Sequence, residues 1–191
     1  MAYDSRNQPV FPTRGTGAQL GVELVTGDVE AVRARAQLSQ LVRLSRRHLL
    51  AFSARADAVL PFGKTVVDGL PRFERLFLGS ENDLRGFAIR GVGPRDADVV
   101  VGGDRLVYAS AEYRFVAHPR LRLVGFFDLG NVYATDFDGL PLPGLRYDAG
   151  AEIQFLTPVW NLPFRVGYGF NLDPVLDEDK GRFFITLTVR F

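Results

Sequence analysis

Arg85, Glu112 and Asp128 are the residues of this chain whose types and spacing suit them to a buried ion-pair site. Glu112 lies in a run from Leu106 to Phe115, where Tyr108, Ser110, Glu112 and Arg114 alternate with Val107, Ala109, Ala111, Tyr113 and Phe115. Asp128 lies in the next run, with the same parity as Arg122. In extended chain, residues of one parity share one face. With the two strands adjacent, both carboxylates point into one lumen. Arg85 belongs to the long connection before them. If that connection folds back into the lumen, its planar guanidinium is set between the two acids, which it can engage bidentately. Gly86 lets the backbone turn sharply or approach the wall, and Phe87 packs the tip. The competing reading makes these charges ordinary solvated groups, worth little individually.

Catalytic chemistry finds little support. The two histidines, His48 and His118, fall near strand ends, and the chain has neither an HExxH motif nor a G-x-S-x-G elbow. Gly91-Val92-Gly93 lacks the strand-then-helix context of a phosphate loop. Asp177-Glu178-Asp179 reads as a solvated outer loop, with divalent-cation binding as the weaker alternative. The chain has no Cys, hence no disulfide framework and no thiolate metal site. Its net charge is +1, and its basic residues are spread along strands rather than clustered, so nucleic acid is not an expected partner. A non-enzyme without cofactor or metal is expected.

The elements that must position these groups are strands. Period-two alternation predicts them near 18–25, 32–44, 47–60, 106–115, 121–133, 146–156, 163–172 and 182–191. Residues 2–8 read as the stub of one more. The last shows the pattern best, with Phe183, Ile185, Leu187, Val189 and Phe191 on one face. Mean hydropathy is only +0.03, and no apolar run is long enough for a helical membrane span. A β-barrel tolerates such an average, because its two faces cancel. Short connections at 45–46, 116–120 and 157–162 alternate with longer ones at 61–105, 134–145 and 173–181, as in outer-membrane barrels. Alternation alone does not say which face is which, so a soluble sandwich or a lipocalin-like barrel stays open. Long strands, 16 Phe and 6 Tyr, and many charges on the polar faces favour the membrane. The start carries no basic region followed by an apolar core, so no signal peptide is expected within it. A membrane barrel would then be a fragment.

The connection at 61–105 carries Phe77-Leu78-Gly79-Ser80 followed by Leu84-Arg85-Gly86-Phe87. That pair of elements resembles the sixth outer loop of the BamA/TamA-like outer-membrane assembly and translocation superfamily, the bacterial surface antigen family. Ser80 stands where the family's second Gly is expected. Tyr3-Asp4-Ser5-Arg6-Asn7 with Phe11-Pro12-Thr13-Arg14-Gly15 fits the family order too. So do Ser110-Ala111-Glu112-Tyr113-Arg114-Phe115, Phe126-Phe127-Asp128-Leu129-Gly130 and the terminal Phe191. The resemblance implies an all-β fold: an antiparallel transmembrane β-barrel segment of about eight complete strands plus the stub, the second half of a sixteen-stranded barrel. Residues 1–191 form one C-terminal barrel domain, with no POTRA domain. It implies a loop arginine held inside the barrel by acids at Glu112 and Asp128. The strand ending at Phe191 resembles a C-terminal assembly signal. The implied function is assembly, insertion or translocation of outer-membrane proteins, in the bacterial outer membrane with the C-terminus periplasmic. Implied partners are outer-membrane lipid, client outer-membrane or secreted proteins, and other assembly subunits or a second copy closing the barrel. The alternative is a small stand-alone eight-stranded barrel acting as a pore or structural protein.

Overall fold

Each long alternating run forms a strand, and the strands join into one sheet. A computed structural model of the chain describes residues 1–8, 10–97, 99–135, 144–157, 162–174 and 180–187. The elements are β1 (Ala2–Asp4), β2 (Gly15–Val25), β3 (Ala31–Arg43), β4 (His48–Pro61), a helical turn α1 (Lys64–Asp68), a 3-10 turn (Arg72–Glu74), β5 (Arg95–Asp96), β6 (Val99–Val100), β7 (Arg105–His118), β8 (Leu121–Tyr133), β9 (Arg146–Leu156), β10 (Pro163–Asn171) and β11 (Gly181–Leu187). The main sheet has nine strands in the order β1-β2-β3-β4-β7-β8-β9-β10-β11, and β5 and β6 make a small ribbon of their own. Neighbouring strands pair antiparallel throughout. The sheet is not closed: β1 and β11 form its two edges.

Burial decides which face is which. On β7, Ser110, Glu112 and Arg114 are buried while Tyr113 is 44% exposed. On β8, Arg122 and Asp128 are buried while Leu123 and Phe127 are exposed, and on β9 Asp148, Glu152 and Gln154 are buried while Ile153 and Phe155 are exposed. A soluble sandwich or lipocalin-like barrel would show the reverse. Polar side chains inside and apolar ones outside mark a transmembrane β-barrel wall, and the chain is all-β, as its alternation implies. On β11 the outward residues are Phe183, Ile185 and Leu187, and Phe184 packs inward against Phe126. Val189, Phe191 and Asp177-Glu178-Asp179 lie outside the described residues.

Register fixes heights as firmly as parity fixes faces. One row of direct partners runs Gly17, Ser39, Ser53, Ser110, Asp128, Asp148 and Asn171 across seven strands. It sets three hydroxyls, Ser39, Ser53 and Ser110, beside two carboxylates, Asp128 and Asp148, in one line on the inner face.

Two connections depart from simple alternation of length. The turn between β2 and β3 is short although it lies at the same end as the long connection. The connection from β1 to β2, at the opposite end, is extended instead, and it carries Phe11 and Pro12 into buried positions. The β1 ladder ends at Asp4, yet the Ser5 N–H still donates to the Thr16 carbonyl and the Asn7 N–H to the Arg14 carbonyl, so the expected stub continues beside β2 as far as Asn7.

Within 61–105 the chain has a core of its own. Leu78, Leu84, Phe87 and Val92 pack with Leu106, Tyr108 and Val132 of the wall. The long connection is thus docked against the inner face.

Phe127 sits midway along β8 and faces outward. Replacing it with Arg should destabilise the folded barrel by about 2–4 kcal/mol, the cost of a cation at mid-membrane on the lipid face. Urea titration of the protein in lipid bilayers checks this; an unchanged midpoint would contradict the assignment of the outer face.

Candidate functional site

Arg85 is fully buried at the inner end of the long connection, where side chains from three strands converge on it. Its Nε donates to Asp128 Oδ2 at 2.7 Å and its Nη2 to Asp128 Oδ1 at 2.9 Å. This is the bidentate fork that guanidinium and carboxylate geometry favours. Nη1 lies 3.0 Å from Glu112 Oε1 and 3.3 Å from Glu152 Oε2. Ser110 Oγ lies 3.4 Å from Nη2 and donates its own proton to Asp128 Oδ1. Tyr108 donates its hydroxyl proton to the same oxygen at 3.2 Å. The guanidinium also lies against Phe126, 3.5 Å from the ring centroid, so a cation–π contact covers its flat face. Burial by itself disfavours the charge on Arg85. The Asp128 and Glu112 carboxylates outweigh it and hold the guanidinium pKa above its ordinary value.

The acids are partnered on their far sides as well. Glu112 accepts from Arg114 Nε at 2.7 Å. Glu152 accepts from both Arg165 Nε, at 3.2 Å, and Arg165 Nη2, at 2.8 Å. Charges therefore alternate along a buried line, Arg114–Glu112–Arg85–Glu152–Arg165. Such pairing is what makes buried ions tolerable, since a lone one carries a desolvation penalty of several kcal/mol.

The other motif residues serve the approach. Gly86 donates its N–H to Asp148 Oδ2 at 3.1 Å. A Cβ on Gly86 would come within 2.8 Å of Asp148 Cβ and 3.0 Å of the Phe170 carbonyl carbon. Gly169 on β10 meets the loop from the other side: a Cβ there would lie 2.6 Å from Gly86 N. Two glycines face each other, so loop and wall come together backbone to backbone. Leu84 and Phe87 flank this contact and lie in the loop's core. Asp83 shapes the turn by accepting from the N–H groups of Gly79 and Leu84. Arg165 reaches Asn82 Oδ1 and the Glu81 carbonyl, and Arg182 reaches the Phe87 carbonyl, so both sides of the tetrapeptide are held.

Of the residues singled out from sequence, the structure brings Leu84, Arg85, Gly86, Phe87, Glu112 and Asp128 into one site. Phe183, Ile185 and Leu187 stand apart on the outer face. Sequence reasoning missed Glu152 as a third acid on Arg85, Asp148 as the anchor of Gly86, and the Phe126, Arg165 and Gly169 contacts. By period-two alternation Arg146, Asp148, Glu152 and Gln154 fall on one face of their strand, opposite Tyr147, Ala149, Ala151, Ile153 and Phe155. Counting carboxylates of that parity on the third strand was the available signal.

Comparison with known proteins agrees with this geometry. A family model described as the Omp85 superfamily domain matches residues 1–191. The chain belongs to the Omp85 superfamily. Among its relatives, the outer membrane protein assembly factor BamA of Nitratidesulfovibrio vulgaris is 31% identical over 190 residues, covering 94% of this chain and 23% of the relative. The human sorting and assembly machinery component 50 homolog is 27% identical over 107 residues, 54% of this chain and 22% of the relative. The crystal structure of BamA from Haemophilus ducreyi lacking POTRA domains 1-3 superposes with a TM-score of 0.80 at 22% identity, over 96% of this chain and 40% of that one. This Omp85 chain thus spans under a quarter of the length of these two sequence relatives, and its sheet has the fold of part of a BamA barrel.

Replacing Arg85 with Ala leaves Asp128, Glu112 and Glu152 facing one another without their shared cation. The loss of folded-state stability should be about 3–5 kcal/mol, the cost of breaking a buried pair from one side. In a double-mutant cycle, Arg85→Ala and Glu112→Ala should be non-additive by more than about 0.5 kcal/mol. Additive effects would show that the two side chains are not coupled.

Proposed function

We propose that this chain is the C-terminal barrel portion of an outer-membrane assembly factor of the BamA type, with Arg85 latching the long connection inside the lumen while other outer-membrane proteins are inserted or translocated. The observation that carries the reading is the complete burial of Arg85 among Asp128, Glu112 and Glu152. A cation sealed at this depth is a device for fixing a loop. The names of the relatives supply the process. The work is mechanical, with no catalytic step, cofactor or metal.

The setting follows from the same features. Exposed Leu123, Phe127, Ile153 and Phe155 meet membrane lipid. The long connection lies on the outer side and the opposite mouth on the periplasmic side, where the C-terminus ends. The two sheet edges are sites for further strands, since an unpaired edge offers a row of free donors and acceptors. The remainder of the barrel, a second copy or an incoming client strand would all pair there by backbone hydrogen bonds. Phe183, Ile185 and Leu187 give β11 an apolar outer face beside that edge. Client outer-membrane or secreted proteins and other assembly subunits complete the partners. A stand-alone eight-stranded pore gains nothing from the open sheet.

The test is complementation of a bacterium depleted of this protein. The protein at its natural length should restore folded outer-membrane proteins. Arg85→Ala should lower them by at least about tenfold, since the expected loss from breaking a buried pair exceeds the ~1.4 kcal/mol that a factor of ten requires. Arg85→Lys should fall between, because it keeps the charge and loses the fork. Full restoration by Arg85→Ala would overturn the latch, and failure of the unaltered protein would overturn the assembly function.

A further inference from the structure

A second segment enters the lumen from the mouth opposite the long connection. After β1 the chain stays bonded to the approach to β2, with the Ser5 N–H on the Thr16 carbonyl and the Asn7 N–H on the Arg14 carbonyl, and between these arms it turns back into the lumen. The return is shaped by Asn7, whose Oδ1 accepts from the N–H groups of Thr13 and Arg14 and whose Nδ2 donates to Thr13 Oγ1. This carries Phe11 and Pro12 over the inner face of the wall to β8. There Arg122, only 3% exposed, donates from Nη2 to the Phe11 carbonyl at 2.8 Å and from Nη1 to the Pro12 carbonyl at 3.3 Å. Its guanidinium also lies 4.1 Å from the Phe11 ring centroid. Beneath the crossing, between Pro12, Leu41, Ala51, Glu112 and Arg114, remains a cavity of about 20 Å³. That is room for about one water. Phe11 is 7% exposed.

Arg122 differs from Arg85 in what holds it. Among the described residues it has no carboxylate partner, and its buried Nε has no acceptor. Arg85 faces three carboxylates. Hydrogen bonds between two charged groups are stronger than those from a charged donor to a neutral carbonyl. Both segments reach into the same lumen, from opposite ends, and among the described residues only the Arg85 contact is sealed by ion pairs.

We propose that Val10–Arg14 is a releasable strap across the mouth opposite the long connection, that Arg122 is its latch, and that this mouth opens by release of the strap while the Arg85-anchored loop stays in place. The inference goes beyond the assembly reading and does not need it, because it concerns a movement of the fold. Arg122 acts here as a positioning residue.

The chain has no Cys, which allows a direct test by single-cysteine labelling. Pro12→Cys reports on the strap and Val92→Cys, in the buried core of the loop, on the loop. Each is made in otherwise cysteine-free protein at its natural length, reconstituted in lipid bilayers and treated with a small uncharged maleimide. The strap cysteine should react at least tenfold faster than the loop cysteine. Arg122→Met keeps an apolar stem under Phe11 and donates nothing; it should raise the strap rate at least tenfold further and leave the loop rate unchanged. Equal rates at the two probes, a strap rate insensitive to Arg122→Met, or a parallel rise at both probes would overturn the proposal. Failure of both Arg122→Met and Arg122→Gln to give a folded barrel would also overturn it, since Arg122 would then hold the wall and not the strap. Because the readout is a labelling rate, its failure is separate from failure of complementation.

Discussion

An arginine cannot shed its proton at any accessible pH, so wherever Arg85 is buried the surroundings must supply the opposite charge. This constraint organises the inner face of the sheet. Asp128 meets the guanidinium fork edge-on, Glu112 and Glu152 share Nη1, and Phe126 covers the flat face. The acids lie on three consecutive strands, β7, β8 and β9, at heights that the antiparallel registers determine. Asp128 is the direct partner of Ser110, Glu112 of Phe126, and Glu152 of Val124. Nothing about one strand alone would make the site.

The loop that carries Arg85 is shaped before it reaches the acids. Asp83 caps its turn through the Gly79 and Leu84 N–H groups, and Leu78, Leu84, Phe87 and Val92 give it apolar contacts with the wall. The guanidinium is thus presented by a structured segment, which lowers the conformational entropy lost in ordering it. Gly86 and Gly169 let the two backbones approach where side chains would collide. Arg165 links the two layers, pairing with Glu152 of the wall while holding Asn82 and Glu81 of the loop. Apolar packing brings the loop to the wall, and ionic contacts select one position for it.

Much of this was legible in the residues, and what was missed shares a cause. Period-two alternation located the strands and put Glu112 and Asp128 on one face, because strand geometry fixes side-chain direction locally. It also put Asp148 and Glu152 on the polar face of the next strand. What it lacked was the path of the loop. A connection without a period gives no rule for where its tip lands, so Gly169, Phe126 and Asp148 could not be matched to Gly86 and Arg85. The return of Phe11 and Pro12 to Arg122 was hidden for the same reason, since the two partners lie over a hundred residues apart. Alternation was also silent about the sign of the faces. That came only from burial, with Tyr113, Phe127 and Ile153 outside and Glu112, Asp128 and Glu152 inside.

Why the anchor is ionic, when an apolar plug would often be at least as stable, follows from what each can distinguish. Leu or Phe at the tip would be satisfied by any greasy recess, and a sheet displaced along one strand would still offer one. Arg85 is satisfied only when β7, β8 and β9 present their acids in successive inward-facing rows, Asp128 beside Ser110, Glu112 beside Phe126 and Glu152 beside Val124. A slip of a single residue on any of the three turns its carboxylate to the lipid face, where it costs energy, and takes a counter-ion from the buried cation. The penalty for a wrong register is therefore incurred twice, outside and inside the barrel. Such a site contributes less through the depth of the correct state than through the height of the incorrect ones. In a wall built from strands of similar alternation, with few other markers of register, that discrimination is the stronger reason for Arg85 to be where it is.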